Sequence, residues 1–438
     1  MSNNLNVTPY YKHHQHQTSS NIQHHHMSNI NIIAFDTETT GLVSDFKTDS
    51  LKMNLQVEPF VVQLAWVVAS IDTATGEFEI IKQVNHLILP RRSDTASYVE
   101  MPQQAFDVHH KSYEDCMLTG IHMNVALQEL QDAIVEFDVT CLVAHNARYD
   151  TRMLDYECVR CNHGRFMLTQ HIVCTQRLSK PFAQAGAIPA NLMSIYKFFV
   201  GHEFENAHDA FADVLACLQV FASCCKAVGV WPVKHSIMSV QAYSNGYHKS
   251  MPTWQQPMLW NDCVEIDCVF VDDVSTKHVA WQKQLHIKQS QYDETACKEY
   301  NVDIEACKVG YAPQVAMQLL SHYIQCASIV VVHGAKFQLS IMHSMFVKQH
   351  VHDAFLLKPY IIDTNIFACY LLPQLAANLQ YVTRDDLWQH FNGSNPTVDV
   401  IAAKSVVSNF IDMLHSNELQ QNQDALYKSM ICLQHLAN

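Results

Sequence analysis

Apolar positions gather most tightly at Ile32-Ile33-Ala34-Phe35, which runs straight into Asp36-Thr37-Glu38-Thr39-Thr40-Gly41-Leu42. An apolar run closing on Thr-Thr-Gly predicts a buried strand entering a turn. Phe60–Val68 predicts a second strand, Asp72–Gly76 a turn, and Glu77–Pro90 a third strand, so the folded part opens as an antiparallel meander. Val125–Phe137 then shows apolar residues at helical spacing, and Cys141–Ala144 reads as a short buried strand. A helix over Thr151–Cys161, a strand over His171–Thr175 and a helix over Asn191–Phe199 follow. Asn206–Asp213 leads into a long apolar helix ending at Val228. A meander followed by alternating helices and strands predicts an α/β protein, a mixed sheet with helices on both faces.

The pattern then recurs, more faintly. Ile237–Gly246 parallels the first strand, with Gln241 and Tyr243 where Asp36 and Glu38 stood. Ile329–Gln338 parallels Cys141–Asp150, with Gln338 in place of Asp150, and Tyr360–Thr364 echoes His171–Thr175. Ala377–Trp388 takes the place of the Asn191–Phe199 helix, and Ile401–Leu414 that of the helix beginning near Ala212. This places Thr397 opposite His208 and Ala402 opposite Asp213. Residues 230–438 are therefore expected to be a second, degenerate copy of the unit at 30–229, without catalysis. His333, Asp363 and Asp399 remain there without forming a recognisable site.

Composition narrows the picture. A chain of 438 residues, 48% apolar, has room for two or three domains with proper cores. Residues 1–29 are rich in His, Asn, Gln and Ser and cannot bury enough apolar surface to fold alone, so a disordered tail is expected. Met27-Ser28-Asn29 repeats Met1-Ser2-Asn3, which leaves the true start open between the two methionines. No apolar run approaches bilayer length and no secretory signal precedes the first strand, so an intracellular protein without membrane contact is expected. The 15 cysteines then read as reduced core thiols, and Cys158-Val159-Arg160-Cys161 as part of a helix rather than a zinc site. The net charge of −14 excludes nucleic-acid binding through bulk basicity. Both halves are acidic, with 24 acids against 14 Lys and Arg over 30–229 and 18 against 13 over 230–438. A polyanionic partner would have to be held locally, by metal ions and a few basic side chains.

Chemistry concentrates in the first half. Alternation along a strand puts Asp36 and Glu38 on one face, about 7 Å apart along the backbone. Such a pair either faces water at the strand end or takes a divalent cation between its charges. Asp36-Thr37-Glu38, Asn146-x3-Asp150 after a buried strand and His208-x4-Asp213 opening a helix resemble the three motifs of the DnaQ-like 3′–5′ exonucleases. These form the branch of the ribonuclease H-like superfamily with four carboxylates and one His; the Tyr-x3-Asp form of the third motif is not met here.

The resemblance implies a ribonuclease H-like fold and two divalent ions, Mg²⁺ or Mn²⁺, held by Asp36, Glu38, Asp150 and Asp213. It implies His208 as general base, its ordinary pKa suiting it to take a proton from water at neutral pH. Thr39 and Leu42 would lie under the terminal nucleotide, and Asn146 and His109 would be secondary binding residues. The implied activity is release of nucleoside 5′-monophosphates from a single-stranded 3′ end of DNA or RNA. A groove carrying Arg148, Arg152 or Lys111 would suit such a strand. A polymerase or another replication or repair protein is the partner such an activity suggests. Two other readings stand beside it: a non-catalytic nucleic-acid-binding or polymerase-accessory protein, and an RNA-specific exoribonuclease.

Overall fold

The computed structural model describes residues 29–46, 48–89, 99, 101–234, 236–247, 252, 255–273, 276–351, 361–372, 383–392, 402–416 and 430–431. The His-rich tail, Thr397, Asp399 and the start of the Ala377–Trp388 segment lie outside them. In the first lobe, β1 (Asn29–Thr39) pairs antiparallel with β2 (Val61–Asp72), and β2 with β3 (Phe78–Leu87). The chain then passes through α1 (Gln103–His109), α2 (Tyr113–Thr119) and α3 (Met123–Glu136). β4 (Cys141–Ala144) adds parallel to β1, α4 (Ala147–Arg160) crosses over, and β5 (Ile172–Cys174) adds parallel to β4. The sheet order is therefore β3-β2-β1-β4-β5, with β1 at its centre.

Because β1 and β2 are covered on both sides, they read as near-continuous apolar runs. One face packs Phe35, Trp66 and Leu142 against Leu130, Met153 and Tyr156; the other packs Ile32, Val67 and Val143 against α5 (Thr175–Ala185), α6 (Leu192–Val200) and α7 (Ala210–Val228). Each such side chain contributes roughly 1.5–3 kcal/mol by leaving water. Helix α5 was not predicted from the pattern, since Pro181 sits inside it. Helix α7 is the 19-residue helix that ends the first lobe. By length and a mean hydropathy of 1.6 it is apolar enough to cross a membrane, yet half of that stretch is buried against the sheet, and it carries Asp213.

The second lobe repeats this plan. β6 (Ile237–Ser244), β7 (Cys263–Asp273) and β8 (His278–His286) form the meander, followed by α8 (Glu294–Glu299), α9 (Ile304–Val309) and α10 (Pro313–Cys326). β9 (Ile329–Val332), α11 (Ala335–Lys348), β10 (Ile361–Asp363) and α12 (Thr364–Leu371) continue it, and α13 (Arg384–Asn392) and α14 (Ala402–Leu414) complete the helices. A short β11 (Met430–Ile431) closes the sheet, whose order is β8-β7-β6-β9-β10-β11.

The correspondence extends to single hydrogen bonds. His145 Nδ1 and Thr175 Oγ1 lie 3.0 Å apart, and His333 Nδ1 and Thr364 Oγ1 2.9 Å apart. Thr175 bonds to Ala144 O at 3.3 Å and Thr364 to Val332 O at 3.2 Å. The bulge after Glu38 in β1 recurs after Tyr243 in β6. Buried Ala403, Val406, Val407 and Phe410 fall in the register of Val214, Cys217, Leu218 and Phe221, which sets Ala402 opposite Asp213.

The lobes meet where α10 crosses the β5 edge. His171 Nε2 lies 2.6 Å from Gln325 O, Cys174 N–H donates to Gln325 Oε1 at 3.3 Å, and Gln318 bonds to Gln184 on α5.

Candidate active site

β1 delivers Asp36 and Glu38 on one face, and the first turn of α7 brings Asp213 up to them. The carboxylate oxygens of these three residues lie within 4.8 Å of one another. Asp150 belongs to the first turn of α4 and is buried, 3% exposed. It stands beside the trio and accepts from Thr37 N–H at 3.1 Å and Thr37 Oγ1 at 2.8 Å. Thr37 thus ties the fourth acid to the strand bearing the first two.

Like charges out of water raise one another's pKa. Burial, reinforced by Asp213 and Asp150, pushes Glu38 up to about 8. Burial brings Asp150 to about 7 against the pull of its Thr37 bonds, and Asp213 to about 6 against the nearby His208. Burial, with Asp150 and Glu38 beside it, holds Asp36 well above its usual range.

The donor set fits hard divalent ions, which take carboxylate oxygens. Asp213 Oδ1 is buried without a hydrogen-bond partner, as an oxygen reserved for a cation would be. Asp36, Glu38 and Asp213 are the residues that would hold such an ion, with Asp150 alongside.

His208 occupies the turn before α7 in a left-handed conformation, φ 67°, with an exposed side chain. Its backbone N–H points at Asp213. Asn146 caps α4 at φ 62°, also exposed, with no capping bond from its side chain. Leu42 is 86% exposed, and Thr39 is buried, its hydroxyl 2.5 Å from Tyr149 OH and donating to Gly41 O at 2.8 Å. Tyr149 OH also donates to Gly41 O at 2.6 Å, pinning the turn that presents Leu42. His109 is buried, with Nδ1 accepting from Lys111 N–H at 3.0 Å and with the Thr39 backbone nearby.

Two of the expected groove cations are committed elsewhere. Arg152 bonds to Asp45 O, Thr48 O and Ser50 Oγ and stacks on Tyr156, so it fastens the 45–53 loop to α4. Lys111 Nζ pairs with Asp209 Oδ2 at 2.6 Å. Arg148 is exposed, its guanidinium 4.7 Å from the centre of the Phe46 ring.

Asp209 itself escaped the motif reading. It caps α7 by accepting from Phe211 N and Ala212 N, and it receives Gln63 Nε2 at 3.2 Å as well as Lys111. Burial works against its charge, but these donors hold its pKa below the usual carboxylate value. An Asp just before an apolar helix was the available signal. Cys158 and Cys161 do lie at the end of α4, and burial pushes their thiols up to about 12 and 11, away from the thiolate that zinc needs.

Residues 33–221 match the family model described as Exonuclease (RNase_T). Comparison with curated proteins gives no match. Among solved structures, the chain is similar to exonuclease X in complex with 5′ overhanging duplex DNA, at 20% identity over 45% of this chain and 93% of that one, TM-score 0.30. It is similar to the nuclease domain of 3′hExo, a DEDDh family member, bound to rAMP, at 10% identity over 45% and 92%, TM-score 0.34. It is also similar to cell-death related nuclease 4, at 14% identity over 44% and 62%, TM-score 0.32. The match to the exonuclease family model falls within the first lobe and spans less than half of the chain. The second lobe, with its amides in place of acids, lies beyond the matched residues, and the family implies divalent metal for the first.

Proposed function

We propose that the first lobe is a 3′–5′ exonuclease acting on single-stranded ends of DNA or RNA and releasing nucleoside 5′-monophosphates. The observation that carries this is the convergence of Asp36, Glu38 and Asp213, with an orphaned Asp213 oxygen, inside an exonuclease-family segment. Mg²⁺ or Mn²⁺ held by these carboxylates would supply the charge neutralisation and the acidified water that phosphodiester hydrolysis requires. Asp36, Glu38 and Asp213 hold the ions, and Asp150, locked by Thr37, completes the set from α4. His208, on the exposed turn beside Asp213, takes the proton from the attacking water. The turn pinned by Tyr149 presents Leu42 to the last base, and the backbone of 39–42 meets the terminal hydroxyl. Asn146 and His109 flank this platform.

The test is degradation of 3′- and 5′-labelled single-stranded DNA and RNA with Mg²⁺, Mn²⁺ or EDTA, for the natural chain and Asp36→Asn. Shortening from the 3′ end that needs metal and vanishes in the variant supports the proposal, and the sugar preference appears in the same gel. A well-folded chain that cleaves none of the substrates overturns it.

A further inference from the structure

The matched hydrogen bonds of the two lobes allow the first lobe's site to be traced into the second, residue by residue. Ala242 N–H donates to Gln338 Oε1 at 2.7 Å as Thr37 N–H donates to Asp150. Gln241 therefore stands at the Asp36 position, and Tyr243 at that of Glu38. Ser244 Oγ donates to Gly246 O at 2.7 Å as Thr39 Oγ1 does to Gly41 O, which sets Tyr247 opposite Leu42. His110 and Asn301, each at φ 56°, and the sulfur contacts of Cys116 with Val62 O and of Cys307 with Val264 O fix a further register. This puts Tyr300 opposite His109.

The cleft at this place has not closed. A cavity of about 380 Å³ is lined by Gln241, Gln338, His333, Phe337 and Arg384, the last from the first turn of α13. Three of the four acid positions carry hydrogen-bonding side chains instead, and the fourth is Ala402. Two metal acids have become amides, which hydrogen-bond a phosphate or a base edge without charge repulsion. The third is a phenol whose oxygen donates to Asp267 Oδ2 at 3.1 Å and whose ring packs on the apolar cluster of Val264, Cys297 and Cys307, behind Tyr300. Leu42 has become the aromatic Tyr247 and His109 the larger ring of Tyr300: Tyr300 lies 5.9 Å from Tyr243 and 6.0 Å from Tyr247, centre to centre. Arg384 pairs with Asp385, which also lines the cavity, through Nε at 2.8 Å, and among the described residues its two terminal guanidinium nitrogens remain for an anion. Stacking faces, neutral amides and an arginine are the elements that hold single-stranded nucleic acid without metal.

We infer that the second lobe binds a single-stranded nucleic acid in this cleft independently of divalent metal, with the backbone phosphate at Arg384, Gln241 and Gln338 and a base on Tyr247 and Tyr300. The inference rests on the nucleic-acid substrate proposed for the first lobe. It makes the second lobe a holding site for the strand that the first shortens.

The experiment uses the full chain with Asp36→Asn in EDTA, which disables the first lobe, and a 5′-fluorescein oligothymidylate or oligouridylate read by anisotropy. Arg384→Gln and Tyr247→Ser alter partly exposed side chains, and circular dichroism checks that both variants keep their fold. The expected result is binding in EDTA that each variant weakens about fivefold or more, that Gln338→Glu weakens further, and that falls with rising salt. No binding in EDTA by the chain with an intact second cleft, or binding indifferent to Arg384→Gln and Tyr247→Ser, overturns the inference. Mg²⁺-dependent degradation, measured separately on the chain with Asp36 intact, reports on the first lobe. Loss of that activity alone leaves the binding result standing.

Discussion

Asp150→Asn should stabilise the metal-free protein while destroying its use of metal. The amide oxygen can keep both Thr37 bonds, as Gln338 keeps its bond to Ala242 in the second lobe. What disappears is the cost of charging a buried carboxyl among other carboxylates. The folded-state pKa of Asp150 is raised from 3.8 to about 7, and one unit is worth about 1.4 kcal/mol. At pH 8 the ionised group therefore costs the folded state up to about 4 kcal/mol. The sign follows from linkage. Below the unfolded-state pKa the carboxyl is neutral in both states and nothing is lost. As pH rises toward 7 the unfolded chain has released its proton while the folded one resists, and stability falls until both are charged.

The neutral variant escapes that loss. In EDTA at pH 8 its Tm should exceed that of the natural chain by on the order of 5–10 °C. At pH 5 the gain should be less than half as large. Mg²⁺ or Mn²⁺ should raise the Tm of the natural chain and do much less for the variant. Differential scanning fluorimetry at the two pH values, with and without metal, measures all of this. A variant melting at or below the natural chain in EDTA at pH 8, or a gain independent of pH, would refute the reasoning.

Lys111→Met removes the cation that lowers the Glu38 pKa, so the acidic limb of the metal-dependent activity profile should move to higher pH, measured as rate against pH under saturating metal. Asp155→Ala strands Arg165 and the Ser50 hydroxyl, and should cost about 3–5 kcal/mol in urea denaturation. Cys161→Ala should leave the urea midpoint nearly unchanged and zinc content at background by metal analysis, because the thiol at that helix end is held protonated. Gln325→Ala leaves the Cys174 N–H buried without its partner and should cost about 1–3 kcal/mol by the same denaturation assay.

What the sequence revealed, and what it hid, follows from the physics of each element. The meander and the short parallel strands were legible because burial on both faces writes uninterrupted apolar runs. The β7–β8 hairpin was not, since Glu265 and Asp267 interrupt its run and yet are buried, Glu265 against His286 at 2.8 Å. Pro181 masked α5, although the helix tolerates it. At the site, the spacing of carboxylates along a strand and at helix starts located Asp36, Glu38, Asp150 and Asp213. It could not say which long cations were free. Arg152 and Lys111 are consumed by partners more than 90 residues away, a fact of tertiary structure alone. Tyr149, which shapes the platform through Thr39 and Gly41, lies just before the predicted helix at Thr151–Cys161 and carries no sequence signal of that role.

The manner in which each sheet ends bears on how the chain is made. In the second lobe the outer parallel strand, β10, is covered by β11 from the same lobe. In the first, β5 is covered only when Gln325 arrives from α10, and Cys174 and Gln325 are 151 residues apart. At ribosomal speeds of about 5–20 residues per second, the N-terminal unit waits roughly 8–30 s with that edge open. During synthesis the nascent first lobe is therefore a ready template for strand pairing with its neighbours on a polysome. The second lobe serves, in this interval, as the cap whose late delivery sets how long that edge of the first lobe stays open.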